Sequence, residues 1–233
     1  MTGSYSDPAS LSRDELRELL LSLVTEQRRA RFEKVLRWRT RHLTVVVENL
    51  YQPHNASAVI RSCDCFGIQD IHIIENEHVF DPSENISLGS QKWVTHRRYN
   101  QLEHNTKACI QALRADGYRI VATTPHTDDQ ELHELSLDQP MALFFGSEKP
   151  GLTEHVLEEA DDFVRIPMYG FTESFNISVS AALTLYDLTT RLHQSELNWA
   201  LTEDEKNELR LEWATKSAPR GADIYARWLE GQH

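Results

Sequence analysis

Four short segments of the sequence place polar side chains or glycines at the ends of predicted strands. Gly146 and Gly151 bracket a Ser-Glu-Lys-Pro loop whose backbone amides and carbonyls are free for a ligand. Ser174, Asn176 and Ser178 crowd a helix start, where unpaired amides and the positive dipole end can hold a phosphate or a carboxylate. In a parallel sheet, ligands bind at the carboxyl ends of the strands. The four segments are residues 53–61, 145–151, 166–170 and 174–182.

Each segment taken alone also has a simpler explanation. Asn55 is placed to cap a helix, and Arg61, six residues later, is then an ordinary surface arginine. The glycine-bracketed loop also fits a plain connection between a strand and a helix. It is neither a phosphate-binding P-loop nor the GxGxxG fingerprint of dinucleotide-binding proteins. No such glycine pattern follows the first strand, which disfavours an ordinary Rossmann methyltransferase or dehydrogenase.

The strands and helices that position these segments can be predicted from short apolar runs that alternate with helical patterns. A capping box at Ser12 and Glu15 begins a helix over residues 11–23. Strands alternating with helices predict an α/β fold, a mostly parallel sheet with helices on both faces. The strands are predicted at residues 43–47, 71–74, 119–122, 141–145 and 163–166. Further helices are predicted at about residues 27–38, 56–66, 102–115, 153–160 and 176–193.

The two ends of the chain are predicted to be helical extensions of this α/β domain. Residues 1–41 form the first extension, residues 42–193 the α/β domain, and residues 194–233 the second extension. The second extension reads as one or two polar helices that contain Trp213 and Trp228. An apolar run of the ~18–20 residues that a membrane span needs is absent. Residues 1–11 lack the pattern of a secretory signal, so neither export nor a membrane location is expected.

Charge and cysteine content narrow the expected partners and compartment. The 233 residues carry a net charge of −12, which argues against a general affinity for nucleic acid. Residues 28–41, in contrast, contain seven basic side chains, which fit either a docking strip for a polyanion or a solvated helix face paired with Glu26 and Glu33. The odd cysteine count fits the reducing cytoplasm better than a disulfide framework. Of Cys63, Cys65 and Cys109, the first two are expected in the core.

Taken together and in order, the four segments resemble the three motifs of the SpoU/TrmH branch of SPOUT RNA methyltransferases. The resemblance rests on Asn55 followed at six residues by Arg61, then FFGSEKPGL, IPMYG and SFNISVSAAL, and it covers about residues 43–190. Residues 28–38, LTVVVENL and the QKWV stretch at residues 91–94 are most similar to the tRNA guanosine enzymes of that branch. The resemblance implies a deep C-terminal trefoil knot within about residues 119–191. It also implies a homodimer formed through the knot region.

The resemblance further implies that the chain uses S-adenosyl-L-methionine to methylate a ribose 2′-hydroxyl in RNA. The substrate it implies is tRNA, at a D-loop guanosine. The alternatives are an rRNA 2′-O-methyltransferase, a non-catalytic RNA-binding homologue of the same fold, and a small-molecule S-adenosylmethionine binder. A metal is not implied, because the sulfonium supplies the driving force. The implied location is the cytoplasm.

Family roles can be carried over only onto residues that match the motifs. The resemblance implies that Arg61 and Asn55 of one subunit lie near the cofactor of the other. A guanidinium stays protonated in proteins, so we expect Arg61 to stabilise the developing alkoxide rather than to act as a base. The catalytic set is Asn55, Arg61, Glu148, Ser174 and Asn176. The cofactor set is Thr123, Gly146, Ile166, Met168, Phe175 and Ala181, and the RNA-binding set is Arg28, Arg31, Arg37 and His54.

Overall fold

The computed structural model of the chain describes residues 7–80, 89–102, 104–125 and 130–232. These residues divide into two compact units. The sheet unit spans Thr40–Ala200, and the end unit consists of the described parts of Met1–Arg39 and Leu201–His233. The two end segments, predicted as separate extensions, therefore belong to one compact unit. The division into three segments at residues 41 and 193 stays a prediction.

The sheet unit is built on six parallel strands in the order β3-β2-β1-β5-β4-β6. Val45 of β1 lies opposite Ile71 of β2 and Leu143 of β5, which places β1 and β5 at the centre. Every residue of β1 is buried, as a parallel sheet covered on both faces requires. The strands are β1 (Leu43–Glu48), β2 (Asp70–Ile74), β3 (Thr95–Tyr99), β4 (Arg119–Thr123), β5 (Met141–Phe145) and β6 (Asp162–Val164).

Helices cover both faces of this sheet and follow its strands in the chain. The helices of the sheet unit are α3 (Pro53–Cys65), α4 (Asn105–Ala115), α5 (Glu154–Glu159) and α6 (Ile177–Gln194). Val45 and Val47 point to the face that α3 and α6 cover. Val46 points to the opposite face, which α4 and α5 cover. This alternation follows from the two-residue period of a strand, and it confirms the predicted α/β fold with helices on both faces.

The structure differs from several local predictions. Asn55 does not cap α3, because Pro53 takes the first helical turn and Gln52 becomes the N-cap residue. Cys63 is buried as expected, but Cys65 is exposed, so its placement in the core was wrong. The sixth strand ends at Val164 rather than at residue 166. Strand β3 was not predicted, because its sequence THRRY offers neither an apolar run nor a buried face.

The end unit consists of helices α1 (Arg13–Ser22), α2 (Glu26–Leu36), α7 (Glu203–Ser217) and α8 (Gly221–Glu230). The predicted capping box of α1 is confirmed, since the Ser12 hydroxyl and the Glu15 carboxylate each bond to the other's backbone amide. The buried ring of Trp213 packs edge-on against Phe32, with ring centroids 5.5 Å apart. Helices α1 and α2 both contact α7, so the first and last segments share one core.

The basic strip at residues 28–41 is only partly a solvated face. Arg39 is fully buried, and its guanidinium lies 5.5 Å from the ring centroid of Trp213. Arg41 donates to the buried carboxylate of Asp70 at 2.7 Å. Glu33, expected to pair within the strip, instead accepts two hydrogen bonds of 2.8 Å from Arg210 of α7. The strip therefore divides between surface and structural roles.

Candidate active site

A cavity of about 230 Å³ lies at the carboxyl ends of β4, β5 and β6. Thr123 is the last residue of β4, and Gly146 directly follows β5. Residues of the segment between β6 and α6, among them Met168 and Phe175, line the other side. The parallel strands bring these distant parts of the sequence to one edge of the sheet, where open α/β sheets bind their ligands.

The loop at residues 146–152 forms one wall of the cavity and requires both of its glycines. A Cβ atom on Gly146 would overlap the backbone of Gly151 and Leu152. Gly151 has a φ of +99°, a backbone conformation that residues with a Cβ atom rarely adopt. Beside this loop, the Thr123 hydroxyl donates to the carbonyl of Phe144 at 2.7 Å and ties the end of β4 to β5. The loop therefore presents its backbone closely and in a fixed shape.

A second cleft lies beside this cavity, and the two share a wall that includes Glu148 and Ser174. Three side chains from three segments meet there. The amide nitrogen of Asn55 donates to Glu148 Oε1 at 3.0 Å, and the amide nitrogen of Asn176 donates to the same oxygen at 2.9 Å. Asn176 also lies 3.2 Å from the amide oxygen of Asn55. The Asn55–Glu148–Asn176 cluster is thus closed by side-chain hydrogen bonds.

Asn176 holds its place in this cluster because it also caps α6. Its side-chain oxygen accepts from the Ser178 backbone amide at 2.8 Å and from the Ser178 hydroxyl at 2.5 Å. These bonds occupy the oxygen of the amide, so its nitrogen is turned toward Glu148 and Asn55. The helix start that the sequence marks with polar residues therefore contributes to the cleft through the side chain of Asn176.

Comparison with protein-family models matches residues 42–186 to the SpoU rRNA Methylase family. The chain belongs to this family. The match contains the whole of the two clefts, and it confirms the resemblance that the motifs indicated.

Relatives of the SpoU family with known names or structures cover most of this chain. The chain is similar to the tRNA (guanosine(18)-2′-O)-methyltransferase of Borreliella burgdorferi, with 43% identity over 84% of this chain and 88% of that protein. The crystal structure of the A. aeolicus TrmH/SpoU tRNA modifying enzyme aligns with a TM-score of 0.73 and 29% identity, covering 82% of this chain and 96% of that one. The SpoU methyltransferase AviRb from Streptomyces viridochromogenes, in complex with AdoMet, aligns with a TM-score of 0.59 and 26% identity, covering 67% and 63%.

The residues expected to hold the cofactor in this SpoU-family chain fall into two groups. The first cavity is lined by Thr123, Gly146, Ile166, Met168 and Phe175. Ala181 is fully buried on α6 and packs in the core of the sheet unit, so its side chain supports the helix rather than lining the cavity. Of the predicted catalytic residues, Ser174 lies in the wall that the two clefts share.

Arg61 does not join the Asn55–Glu148–Asn176 cluster of its own chain. Six residues of α-helix turn it about 120° away from Asn55 around the axis of α3 and move it about 9 Å along that axis. The side chain is exposed, and it forms no hydrogen bond or ion pair with the part of the chain that the structure describes. Asn55, in contrast, contacts Glu148 of its own chain, although the resemblance implies a position near the partner's cofactor.

The residues expected to bind RNA lie in both units and are all exposed. Arg28 and Arg31 lie on α2, and Arg37 follows directly as its C-cap residue. His54 lies on the first turn of α3, next to Asn55. Exposure leaves these side chains accessible to a polyanion, and their role in RNA binding stays a prediction.

Sequence reasoning missed Glu48, a fully buried carboxylate at the end of β1. Its Oε1 accepts from the Thr106 hydroxyl at 2.6 Å and from the Thr153 hydroxyl at 2.9 Å. Its Oε2 accepts from the Thr153 backbone amide at 2.9 Å. Thr153 is the N-cap residue of α5 and follows the glycine loop directly. The signal was available, since an acidic residue ends an otherwise apolar strand and buried charges need partners.

The titratable groups with displaced pKa values lie outside the two clefts. Burial lowers the pKa of His72 on β2 to about 4, against a smaller opposing effect of Asp70. Burial raises the pKa of the Cys109 thiol, which keeps that cysteine protonated and unreactive. Among the described residues, no three His, Cys, Asp or Glu side chains are grouped to hold a metal ion. The same residues include no helix long and apolar enough to cross a bilayer.

Proposed function

We propose that this chain transfers a methyl group from S-adenosyl-L-methionine to a ribose 2′-hydroxyl of tRNA, at a D-loop guanosine. One observation carries the proposal: two contiguous clefts share the wall formed by Glu148 and Ser174. A methyl transferase needs this arrangement, because donor and acceptor must be held side by side and in line. The name of the Borreliella burgdorferi relative, a tRNA (guanosine(18)-2′-O)-methyltransferase, supports the choice of tRNA and of guanosine.

The first cavity suits the cofactor chemically. Its apolar wall, with Met168 and Phe175, offers contact to the flat adenine base and the aliphatic carbons of S-adenosylmethionine. The tightly folded backbone at Gly146 offers polar groups without a side chain in the way. When bound, S-adenosylmethionine supplies an electrophilic methyl group on its sulfonium. The residues that would hold it are Thr123, Gly146, Ile166, Met168 and Phe175.

The second cleft receives the ribose in this proposal. Glu148 Oε1 is already engaged by two amide nitrogens, so the Asn55–Glu148–Asn176 cluster is a rigid edge against which a hydroxyl can be oriented. The guanidinium of Arg61 would donate hydrogen bonds to the ribose 2′-oxygen and stabilise the negative charge that develops there, while the hydroxyl proton passes to water or to a phosphate of the substrate. The proposed chemistry requires no metal. The sulfonium already activates its methyl group, and the group that leaves is a neutral thioether.

Arg61 must come from a second copy of the chain in this proposal. The exposed side chains of α6 include Val179, Leu183 and Tyr186, spaced four and three residues apart along one face. Arg61 lies on the exposed face of α3, which packs beside α6, and Tyr186 meets Phe66 at the end of α3 with ring centroids 6.3 Å apart. A twofold dimer that covers this apolar α3–α6 face would carry each Arg61 toward the partner.

We further propose that residues within about 119–191 form a trefoil knot and that the protein acts in the cytoplasm. Membership of the SpoU family supports the knot, as does the convergence of residues 145–152 and 165–176 on one cavity. A tRNA substrate and three free cysteines support the cytoplasm.

A second substrate class is rRNA. The matching family is described as an rRNA methylase family, and its motifs do not distinguish the two RNAs. The assay that separates them measures transfer of a labelled methyl group from S-adenosylmethionine to unmodified tRNA and rRNA, followed by mass spectrometry of the nucleosides. We expect a 2′-O-methylguanosine in tRNA. Products confined to rRNA would contradict the tRNA assignment, and products in neither would refute the function.

The same assay tests the role and origin of Arg61. Arg61→Ala should abolish transfer without loss of stability, while Arg13→Ala, another exposed arginine, should act as wild type. Coexpression of Arg61→Ala with Glu148→Ala chains should restore about one quarter of the wild-type activity, since half the random dimers each rebuild one complete site. Inactivity of the mixture would mean that Arg61 serves the cleft of its own chain.

A further inference from the structure

Tyr51 is an exposed aromatic residue at the mouth of the second cleft. It follows β1 and directly precedes Gln52, the N-cap residue of α3. Its side chain is 72% exposed, an unusual position for a large aromatic ring beside a buried strand end. The ring contacts His78 edge-on, with ring centroids 5.0 Å apart and an interplanar angle of 62°. Most of the ring surface is therefore open to a ligand in the cleft.

The other groups around this cleft indicate what the ligand is. Phe175, 40% exposed, adds a second aromatic side chain to the lining, and the exposed Lys149 adds a cation. Asn55, on the first turn of α3, lines the same cleft as Tyr51, so a base on Tyr51 and its ribose at Asn55 would share that cleft. Flat aromatic surfaces, one cation and hydrogen-bonding amides match the base, phosphate and ribose of a single nucleotide.

We propose that Tyr51 stacks on the base of the nucleotide to be methylated, with Lys149 at its phosphate. The inference rests on the proposed function and adds the residue that positions the target nucleotide. A base stacked on Tyr51 fixes the glycosidic bond, so the ribose is presented to the Asn55–Glu148–Asn176 cluster at the wall it shares with the cofactor cavity. Stacking is tolerant of sequence, since every base has a flat face. Tyr51 therefore sets the position of the nucleotide, and the choice of guanosine lies with other contacts.

An RNA base is favoured over a protein partner by the surroundings of the ring. Tyr51 borders a cleft whose further wall is the candidate active site, and the cleft is lined by polar and charged groups as well as by aromatic ones. The apolar α3–α6 face proposed for the dimer is formed by other side chains, among them Val179 and Leu183. Tyr51 is not among the side chains assigned to that face.

The test combines substitutions of Tyr51 with removal of the target base. Tyr51→Ala should lower kcat/KM for tRNA roughly 5- to 150-fold, the range expected for loss of one base–aromatic stack. Tyr51→Phe should retain activity within about twofold, because the ring rather than the hydroxyl stacks. A tRNA with an abasic ribose at the target position should cost Tyr51→Ala less than it costs the wild type, by about the factor that Tyr51→Ala itself costs, since the stack is the one contact that both changes remove.

Controls separate this role from the alternatives. Val79→Ala, a similarly exposed apolar side chain next to His78, should leave kcat/KM unchanged. Tyr51→Ala should bind S-adenosylmethionine as tightly as the wild type. It should also have the same oligomeric state, as measured by the mass of the assembly in solution. A change in mass would identify Tyr51 as an interface residue, and wild-type activity of Tyr51→Ala would equally overturn the proposal. Failure of the wild type to transfer methyl groups in the same assay would instead refute the proposed function, and with it this inference.

Discussion

Replacement of Glu48 by glutamine tests whether a buried carboxylate holds the glycine loop in place. All three of its partners are donors: the hydroxyls of Thr106 and Thr153 and the backbone amide of Thr153. The Thr106 hydroxyl donates its one proton to Glu48, since a carboxylate only accepts, and it accepts in turn from the amide nitrogen of Asn76 at 2.8 Å. A glutamine has one oxygen and one NH₂ group, so it cannot accept on both sides.

The cost of Glu48→Gln follows from which donor is left without an acceptor. If the NH₂ group faces the Thr153 backbone, two donors oppose each other. If it faces the hydroxyls, the Thr106 proton loses its acceptor. A buried donor left unsatisfied costs about 1–3 kcal/mol, and hydrogen bonds to a charged acceptor are worth about 1.5–3 kcal/mol each. We therefore expect a loss of about 2–4 kcal/mol in the free energy of unfolding in either orientation.

Urea unfolding at neutral pH measures this loss of stability. Calorimetric titration of the folded protein with S-adenosylmethionine measures its affinity for the cofactor. Thr153→Val, which removes one hydroxyl and keeps the backbone amide, should cost only about 1 kcal/mol. Affinity for the cofactor should fall in Glu48→Gln, since Thr153 follows the glycine loop. A Glu48→Gln protein whose free energy of unfolding lies within about 0.5 kcal/mol of the wild type would refute the reasoning. A change that small is typical of surface substitutions and would mean that no buried donor is left unsatisfied.

Three further perturbations follow from the same geometry. Gly146→Ala should lower methyl transfer on the order of 100-fold while circular dichroism stays unchanged, since its Cβ forces the loop away from Gly151; normal activity would mean that the loop yields freely. Because the folded pKa of His72, about 4, lies below its usual 6.5, the unfolded state binds more protons between these values. Stability should thus fall by about 2 kcal/mol from pH 7 to pH 5 on account of His72, and His72→Gln should lack that part of the fall. A double-mutant cycle on Glu33 and Arg210 should give a coupling of about 0.5–1 kcal/mol that weakens in 1 M salt, and a salt-independent value would contradict a half-exposed ion pair.

Much of the fold could be read from residues whose local preference agrees with their tertiary role. The β-branched run at residues 43–47 predicts a buried strand, and the structure places it at the centre of the sheet with both faces covered. The capping box at Ser12 predicts a helix start because it satisfies backbone amides locally. Strand β3 escaped the same reasoning. It lies at an edge of the sheet and its side chains are partly exposed or exposed, so pairing with β2 fixes its conformation and its own composition does not.

The sequence predicted most residues of the candidate site, but it did not predict which of them contact each other. Asn55 and Asn176 are 121 residues apart, and only the order of the parallel strands brings them to Glu148. A pattern at fixed spacing cannot reveal that Glu48 anchors Thr153, because a contact across 105 residues leaves no local periodicity. Family resemblance supplied the motif residues, while the buried carboxylate that supports their loop needed the structure.

The spacing of Asn55 and Arg61 argues for a site shared between two chains. Helical neighbours that serve one cleft are three, four or seven residues apart, because those intervals return to the same face. An interval of six turns the second side chain away, and the structure places Asn55 at Glu148 while Arg61 points elsewhere in solvent. If both residues act on one ribose, α3 must present two faces, about 120° apart, to two different clefts. The twofold dimer proposed above would meet that condition at both of its sites, with Asn55 serving the cleft of its own chain and Arg61 that of the partner.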